Sequence, residues 1–208
     1  MKAILFDIDG VLVDSVRANA QLYRDVLRHF GFRGPTDEEQ SERNHHTFID
    51  NIRHYAPGAS DELIQKIFDY GVVLPRGHDL MVLMDGVREV LVELGKRYAL
   101  GVVSSRLHAS INSLLDYFDL DGLFPVRVGF EDTLEHKPHP APLLFGAQKL
   151  GLSVSQVVYV GDAATDIEAA KAADMRMILY AAQPLPGADV TVEKFSDVPQ
   201  AVDRLGEA

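Results

Sequence analysis

The sequence predicts an α/β protein with a doubly wound parallel sheet, a Rossmann-like core that carries a small all-helical inserted domain. Short apolar runs alternate with helical periodicity in the second half of the chain, a pattern typical of parallel strands with crossover helices. A similar apolar run opens the chain at Ala3–Phe6. From there to about position 83 only helical spacing recurs. We therefore expect residues 1–15 and 84–208 to form the core and residues 16–83 to form the helical domain.

The apolar run Ala3–Phe6 predicts a strand buried on both faces of the sheet. After it, three helices are expected in the inserted domain. The first follows Ser15, a capping residue, and ends at Gly31. Thr36 with Glu39 matches a capping box that opens the second helix, and Ser60 opens the third.

The remainder of the core is predicted from alternating strand and helix patterns. The expected strands are 98–103, 124–129, 157–160, 176–180 and 190–192, and the expected helices are 87–96, 110–118, 140–150 and 165–173.

Composition narrows the class of protein. The 208 residues carry a formal net charge of −11, which argues against nonspecific binding to nucleic acid or to an anionic membrane. The absence of cysteine excludes disulfides and thiolate chemistry. No signal peptide pattern and no apolar run of membrane-spanning length is present, so a cytoplasmic location is expected.

Two carboxylates follow the first predicted strand. Asp7 and Asp9 stand two residues apart where a parallel strand ends, the edge at which open α/β sheets bind ligands. Such close carboxylates remain ionised only beside a cation, or they share a proton. Gly10 permits a sharp turn and leaves room for a ligand. An ordinary acidic turn is the plainer alternative.

Further polar residues follow the other predicted strands, and parallel strands bring such ends to one edge of a sheet. Asp162 and Asp166 stand four apart and would share a face if helical. With Asp7 they offer oxygen ligands of the kind that Mg²⁺ accepts. Ser104 could bind a phosphate at a helix start, and the loop residue Lys137 could neutralise phosphate and carboxylate. Helix capping and a solvated lysine are the plainer readings of these residues.

Taken together, four motifs resemble those of the haloacid dehalogenase superfamily, and the resemblance covers essentially the whole chain. It is closest to phosphatase-like members with a helical cap after the first strand, the group of phosphoglycolate phosphatase and β-phosphoglucomutase. The motifs are Asp7-Ile-Asp9-Gly10-Val-Leu-Val-Asp14-Ser15, Val102-Val103-Ser104, Lys137-Pro138-His139-Pro140 and Gly161-Asp162-Ala-Ala-Thr-Asp166.

The resemblance implies a Mg²⁺-dependent phosphatase with a covalent intermediate. Asp7 would attack phosphorus, and Asp9 would serve as general acid and then as general base. Ser104 and Lys137 would hold the phosphoryl group, helped by Gly10 and Ser105. The metal site implied is Asp7, the Asp9 carbonyl, Asp162 and Asp166, and the implied substrate is a small phosphorylated metabolite.

Several alternatives remain open from the sequence. A sugar phosphomutase of the β-phosphoglucomutase type shares all four motifs, and a noncatalytic binding module is a remote alternative. Asp9 argues against dehalogenation, because the dehalogenases of this superfamily lack it. The substrate is undetermined between phosphoglycolate, a sugar phosphate, a nucleotide and pyrophosphate, and the protein is expected to be a monomer or a homodimer. Candidate substrate contacts in the cap are Arg43, Asn44, His45, His46, Arg53 and His54.

Overall fold

The computed structural model describes residues 1–75 and 77–207, and the chain divides into two compact units. The sheet unit comprises Met1–Val13 and the chain from Leu83 onward, and the helical unit is Asp14–Val82. The strands are β1 (Ala3–Phe6), β2 (Val13–Asp14), β3 (Val82–Leu83), β4 (Ala99–Val103), β5 (Val126–Val128), β6 (Val157–Gly161), β7 (Arg176–Tyr180) and β8 (Val190–Val192). The α-helices are α1 (Val16–His29), α2 (Asp37–Ser41), α3 (Phe48–Tyr55), α4 (Asp61–Val72), α5 (Val87–Leu94), α6 (His108–Tyr117), α7 (Ala141–Leu150), α8 (Ala164–Ala172) and α9 (Val198–Glu207).

The sheet unit is built on six parallel strands in the order β5-β4-β1-β6-β7-β8. Strand β1 lies between β4 and β6, and Phe6 is in register with Val102 on one side and Val160 on the other. The strand order turns back on itself beside β1, where doubly wound sheets bind ligands. The predicted α/β fold with a doubly wound parallel sheet is confirmed.

Both faces of β1 are buried, as its uninterrupted apolar sequence predicts. Ala3 and Leu5 belong to a core cluster that includes residues of α7 and α8. Phe6 points to the opposite face, where its ring lies 6.2 Å from that of Phe124 and 6.1 Å from that of Phe195. Alternation along the strand therefore supplies apolar side chains to two separate layers.

The helical unit has its own apolar core, formed by residues of α1, α3 and α4 such as Leu27, Ile52 and Ile67. The Thr36–Glu39 capping box is present: the Glu39 amide donates to Thr36 Oγ1, and the Thr36 amide donates to the Glu39 carboxylate. Apolar contacts and local capping together account for the helices of this unit.

Two local expectations for the helical unit are wrong. The second predicted helix is two helices, because Thr47 accepts a hydrogen bond from the Asp50 amide and caps a new start for α3. Ser15 occupies the N-cap position of α1, but its side chain makes no capping bond. Its hydroxyl accepts instead from the side-chain amides of Asn19 and Asn44, each at 3.2 Å.

In the sheet unit the predicted strands and helices are present, with ends shifted by a few residues. Helix α9 and the two-residue strands β2 and β3 were not predicted. Among the residues described, no helix combines the length and apolarity that crossing a membrane requires.

Candidate active site

The ends of β1, β4 and β6 bring the polar motif residues of the sheet unit to one edge. The Asp7 amide donates to the Val160 carbonyl, and the Ser104 amide donates to the Val128 carbonyl, so both residues continue the strand ladder by one step. Their side chains consequently start from backbone that the sheet holds in place. Asp7 is 4% exposed and Ser104 is 5% exposed.

Lys137 joins two of the aspartates. Its Nζ lies 2.7 Å from Asp7 Oδ2 and 2.7 Å from Asp166 Oδ1, and its side chain is 4% exposed. Burial disfavours the charged ammonium, but the carboxylates of Asp166 and Asp7 raise the pKa of Lys137 well above its ordinary value. The loop lysine is therefore a buried cation fixed by two ion pairs, and the solvated-lysine alternative is wrong.

Tyr159 is a site residue that the sequence analysis missed. Its hydroxyl accepts a hydrogen bond from Lys137 Nζ at 2.9 Å and donates to Asp166 Oδ1 at 3.0 Å. Burial raises the pKa of Tyr159 well above its usual value, so the phenol stays neutral. Tyr159 lies within the apolar run of β6, and the sequence pattern alone predicts that a tyrosine in such a run is a core residue.

Asp166 organises the loop between β6 and α8. Its Oδ2 accepts from the backbone amides of Asp162 and Ala163, each at 3.1 Å, while its Oδ1 binds Lys137. Helix α8 begins at Ala164, so Asp162 precedes the helix and the condition for a shared helical face is not met. The two carboxylates are close because Asp166 folds back onto the loop amides.

Three carboxylates form an oxygen-rich cluster. Ligand oxygens of Asp7, Asp162 and Asp166 lie within 4.8 Å of one another. Burial raises the pKa of Asp7 to about 7, with Lys137 opposing and Asp166 adding to the rise. Burial, followed by the charges of Asp166 and Asp7, raises the pKa of Asp162 to about 8. The cluster therefore requires additional positive charge to ionise completely near neutral pH.

The donor set fits a small divalent cation. Asp162 Oδ1 is buried without a hydrogen-bond partner among the described residues. Asp7 Oδ1 accepts a hydrogen bond from the Ile8 amide at 2.8 Å, and both oxygens of Asp166 are engaged. Of the three carboxylates, Asp162 is thus the one with a buried oxygen that lacks a hydrogen-bond partner. Hard carboxylate oxygens of this kind suit Mg²⁺.

Gly10 allows the Asp162 carboxylate its position. The glycine has a φ of 78°, and a Cβ built on it would overlap Asp162 Oδ2. A side chain here would displace the carboxylate as well as strain the backbone.

Asp9 is held by Arg106, the second residue that the sequence analysis missed. Arg106 Nε lies 2.7 Å from Asp9 Oδ2, and its Nη2 lies 2.6 Å from Asp9 Oδ1. The side chains are 9% and 12% exposed. Ser104 Oγ accepts from the Arg106 amide at 3.3 Å, and Ser105 lies half-buried between them.

The candidates in the helical unit have contacts within that unit. Arg43 Nε donates to Asn51 Oδ1 at 2.9 Å, and the Asn44 side chain contacts Ser15 and Asn19. The rings of His45 and His46 lie 4.5 Å apart in the turn after α2. Arg53 lies 3.5 Å from Asp61, and the ring of His54 packs edge-on against Tyr55.

Comparison with known proteins establishes the family. Residues 4–180 match the model of the haloacid dehalogenase-like hydrolase family, and the chain belongs to that family. The chain is 30% identical over 219 residues to a phosphoglycolate phosphatase of Aquifex aeolicus, with 98% of this chain and 97% of that relative covered. The family predicted from the four motifs is confirmed.

Solved structures agree with this assignment. A HAD-superfamily hydrolase of subfamily IA, variant 1, from Geobacter sulfurreducens is 28% identical, with a TM-score of 0.74 and coverage of 99% of this chain and 97% of that one. A β-phosphoglucomutase from Clostridium difficile has a TM-score of 0.82 at 17% identity and covers 100% of this chain and 98% of its own. The second likeness is one of fold.

Proposed function

We propose that this protein is a Mg²⁺-dependent phosphatase that hydrolyses a small phosphomonoester through an aspartyl phosphate on Asp7. The observation that carries the proposal is the buried Asp7 carboxylate at the end of β1, with Lys137 2.7 Å from one oxygen. The adjacent unpartnered oxygen of Asp162 supports a cation site beside it. A nucleophile, a fixed cation and metal ligands in one place suit phosphoryl transfer, which depends mainly on positioning and charge.

In the first step an Asp7 oxygen attacks phosphorus, and the bond from phosphorus to the ester oxygen breaks. The leaving alkoxide takes a proton from Asp9 and departs as an alcohol. Lys137 and Ser104 hold the phosphoryl oxygens as charge spreads over them. Asp166 and Tyr159 fix Lys137, which keeps its ammonium directed at Asp7.

In the second step a water molecule attacks the phosphorus of the aspartyl phosphate. Asp9 accepts the proton from this water, and the bond between phosphorus and Asp7 breaks. Inorganic phosphate leaves, Asp7 is restored as a carboxylate, and Asp9 is protonated for the next turnover.

The proposed ligands of Mg²⁺ are Asp7 and Asp162, with the Asp9 carbonyl, while Asp166 supports the site through the loop amides and Lys137. When bound, Mg²⁺ would supply positive charge that offsets the phosphate and the carboxylates. The residues present fit this ion because their donor atoms are hard oxygens.

Phosphoglycolate is the first substrate to test, because the Aquifex aeolicus relative is named a phosphoglycolate phosphatase and is aligned over nearly the whole chain. The proposal for the physiological partner is accordingly a small phosphorylated metabolite. A cytoplasmic protein would meet such metabolites directly.

The decisive experiment compares Asp7→Asn and Asp9→Asn with p-nitrophenyl phosphate. Asp7→Asn should abolish turnover, because an amide is not a nucleophile of this kind. Asp9→Asn should release nitrophenolate in a burst of roughly one equivalent, followed by slow hydrolysis of the adduct. Loss of general acid–base assistance typically costs about 10²–10⁴-fold, and an aryl leaving group needs little of it in the first step.

The matched control is Asp116→Asn on α6, an exposed aspartate outside the site, which should keep full activity. Mass spectrometry of the Asp9→Asn protein should find added phosphate on the peptide that contains Asp7. Phosphate on another residue would contradict the mechanism, and isomerisation that depends on a bisphosphate activator would indicate a phosphomutase instead.

A further inference from the structure

Arg106 holds the proposed acid–base residue in a bidentate ion pair. Its Nε and Nη2 donate to the two carboxylate oxygens of Asp9. Its Nη1 donates to Ser110 Oγ at 3.0 Å, and Ser110 is a buried residue of α6. The backbone amide of Arg106 donates to Ser104 Oγ. The backbone of Arg106 is therefore held by the turn that contains Ser104, and its guanidinium is held by Asp9 and by the following helix.

This geometry opposes the role that Asp9 has in the reaction. Both Asp9 oxygens accept hydrogen bonds from the guanidinium, so Asp9 has to leave this ion pair before it can turn towards a leaving group. The pair is also largely removed from water, at 9% and 12% exposure. Separating the two charges without a replacement would leave each of them poorly solvated, which is unfavourable. Asp9 is released most readily if another anion takes its place on Arg106.

We propose that Arg106 is a specificity-determining residue that exchanges Asp9 for a carboxylate of the substrate. The inference rests on the proposed phosphatase function and deepens it, because it names the substrate class as phosphomonoesters that carry a carboxylate close to the ester oxygen. A carboxylate matches the guanidinium fork in the same bidentate manner as Asp9. Its binding would free Asp9, and the released carboxylate would take up a proton from solvent and turn towards the leaving oxygen as the general acid.

Charge around the site favours Arg106 over Lys137 for this task. Lys137 is already bound to Asp7 and Asp166 and lies against Tyr159, and its proposed role is with the phosphoryl group. The Arg106 guanidinium holds the Asp9 carboxylate two residues after Asp7, so an anion that replaced Asp9 would bind at the same edge of the sheet as the candidate nucleophile. A compact substrate can bridge these two positions.

The test uses two substrates that differ only in the proposed recognition group. 2-Phosphoglycolate carries the carboxylate, and 2-hydroxyethyl phosphate has a CH₂OH group in its place. The wild-type protein should favour 2-phosphoglycolate in kcat/KM by about 10²-fold or more, as expected where a charged partner is left unpaired by the wrong substrate. Arg106→Gln should reduce this preference to near unity, and Arg106→Lys, which keeps the charge without the fork, should be intermediate.

The two variants should separate specificity from folding. In Arg106→Gln, kcat/KM for 2-phosphoglycolate should fall far more than kcat/KM for 2-hydroxyethyl phosphate, because only the first substrate loses its partner. A merely structural role would lower both equally. The control is Arg176→Gln, which removes an arginine paired with Asp189 at the start of β7 and should leave the preference unchanged.

Equal loss with both substrates in Arg106→Gln and Arg106→Lys, or no preference in the wild-type protein, would overturn the inference while leaving the phosphatase proposal intact. Failure of the wild-type protein to hydrolyse p-nitrophenyl phosphate and both alkyl phosphates in the presence of Mg²⁺ would overturn the phosphatase proposal itself, and the inference with it.

Discussion

Gly10 and Asp162 depend on each other although 152 positions of sequence separate them. The φ of 78° at Gly10 is a left-handed conformation, and the space that a Cβ would fill is occupied by the Asp162 carboxylate. Gly86 has a nearly identical φ of 79°, but no atom lies within 4 Å of the position of its missing Cβ. Comparing substitutions at the two glycines therefore separates the effect of backbone strain from the effect of displacing the Asp162 carboxylate.

Gly10→Ala should weaken Mg²⁺ binding by about 10–100-fold, the usual consequence of disturbing the surroundings of a metal ligand. Gly86→Ala should leave the affinity unchanged, although each substitution costs about 1–2 kcal/mol of folding free energy through the left-handed backbone. Isothermal titration with Mg²⁺ measures the first effect and thermal unfolding the second. Equal affinities in the two variants would contradict a metal role for Asp162.

At the level of single residues, the sequence motifs identified the ionic groups that follow the strands. Asp7, Asp162, Asp166 and Lys137 lie together in the structure because parallel strands end at one edge. Arg106 was not predicted, since a loop arginine is usually solvated and its partner Asp9 lies 97 positions away. Such a pair leaves no periodic signal in one sequence.

At the level of elements, the close approach of α7 to the sheet depends on glycines, which have no side chain to keep the two apart. A Cβ on Gly146 of α7 would lie 2.9 Å from Leu5 Cδ1 and 3.2 Å from Val103 Cγ2. Gly101 of β4 makes a similar approach to Leu5 from the neighbouring strand. Leu5 thus fills the volume that two glycines leave, and helix α7 packs directly onto β1 and β4.

Gly146→Val should destabilise the protein by about 1–3 kcal/mol through overpacking. Leu5→Ala should cost about 2–5 kcal/mol through the cavity it leaves. Because the valine methyl groups would enter that cavity, the double variant should be less destabilised than the sum of the two changes, with a coupling of about 0.5–3 kcal/mol. Denaturant unfolding of the four proteins measures the cycle, and strict additivity would show that the two residues do not share this space.

Element types could be predicted where the signal is local. The Thr36–Glu39 capping box and the Ser60 cap are both present, because each depends on residues three positions apart. The break between α2 and α3 could not be predicted, because it depends on a side chain that caps a helix in the middle of an apparently continuous polar stretch. Helix α9 was missed although it packs against the sheet unit near β7 and β8.

At the level of the whole molecule, the buried carboxylates oppose the folding of an already acidic chain. The net charge of −11 is unfavourable for a compact state, and burial adds the cost of ionising Asp7 and Asp162 away from water. A bound divalent cation would remove much of that cost. Folding stability, metal binding and pH are therefore expected to be linked.

The linkage has a definite sign. In the metal-free folded protein the pKa values of Asp7 and Asp162 are raised from 3.8 to about 7 and about 8, so between pH 4 and 8 the folded state holds protons that the unfolded state has lost. The stability contribution of these groups is present at low pH and is lost as pH rises through 7 and 8.

A Mg²⁺ ion at this site would bind the ionised carboxylates in competition with protons, and a ligand that binds only the folded state stabilises it by mass action. The increase in Tm produced by Mg²⁺ should consequently be larger at pH 8.5 than at pH 5.5.

Asp162→Asn provides the control, because an amide does not titrate and is a poorer ligand. Relative to this variant, the metal-free wild-type protein should lose stability between pH 5.5 and 8.5 and should regain it when Mg²⁺ is added. A Tm increase that is independent of pH, or equal in Asp162→Asn, would show that the cation does not bind at these carboxylates.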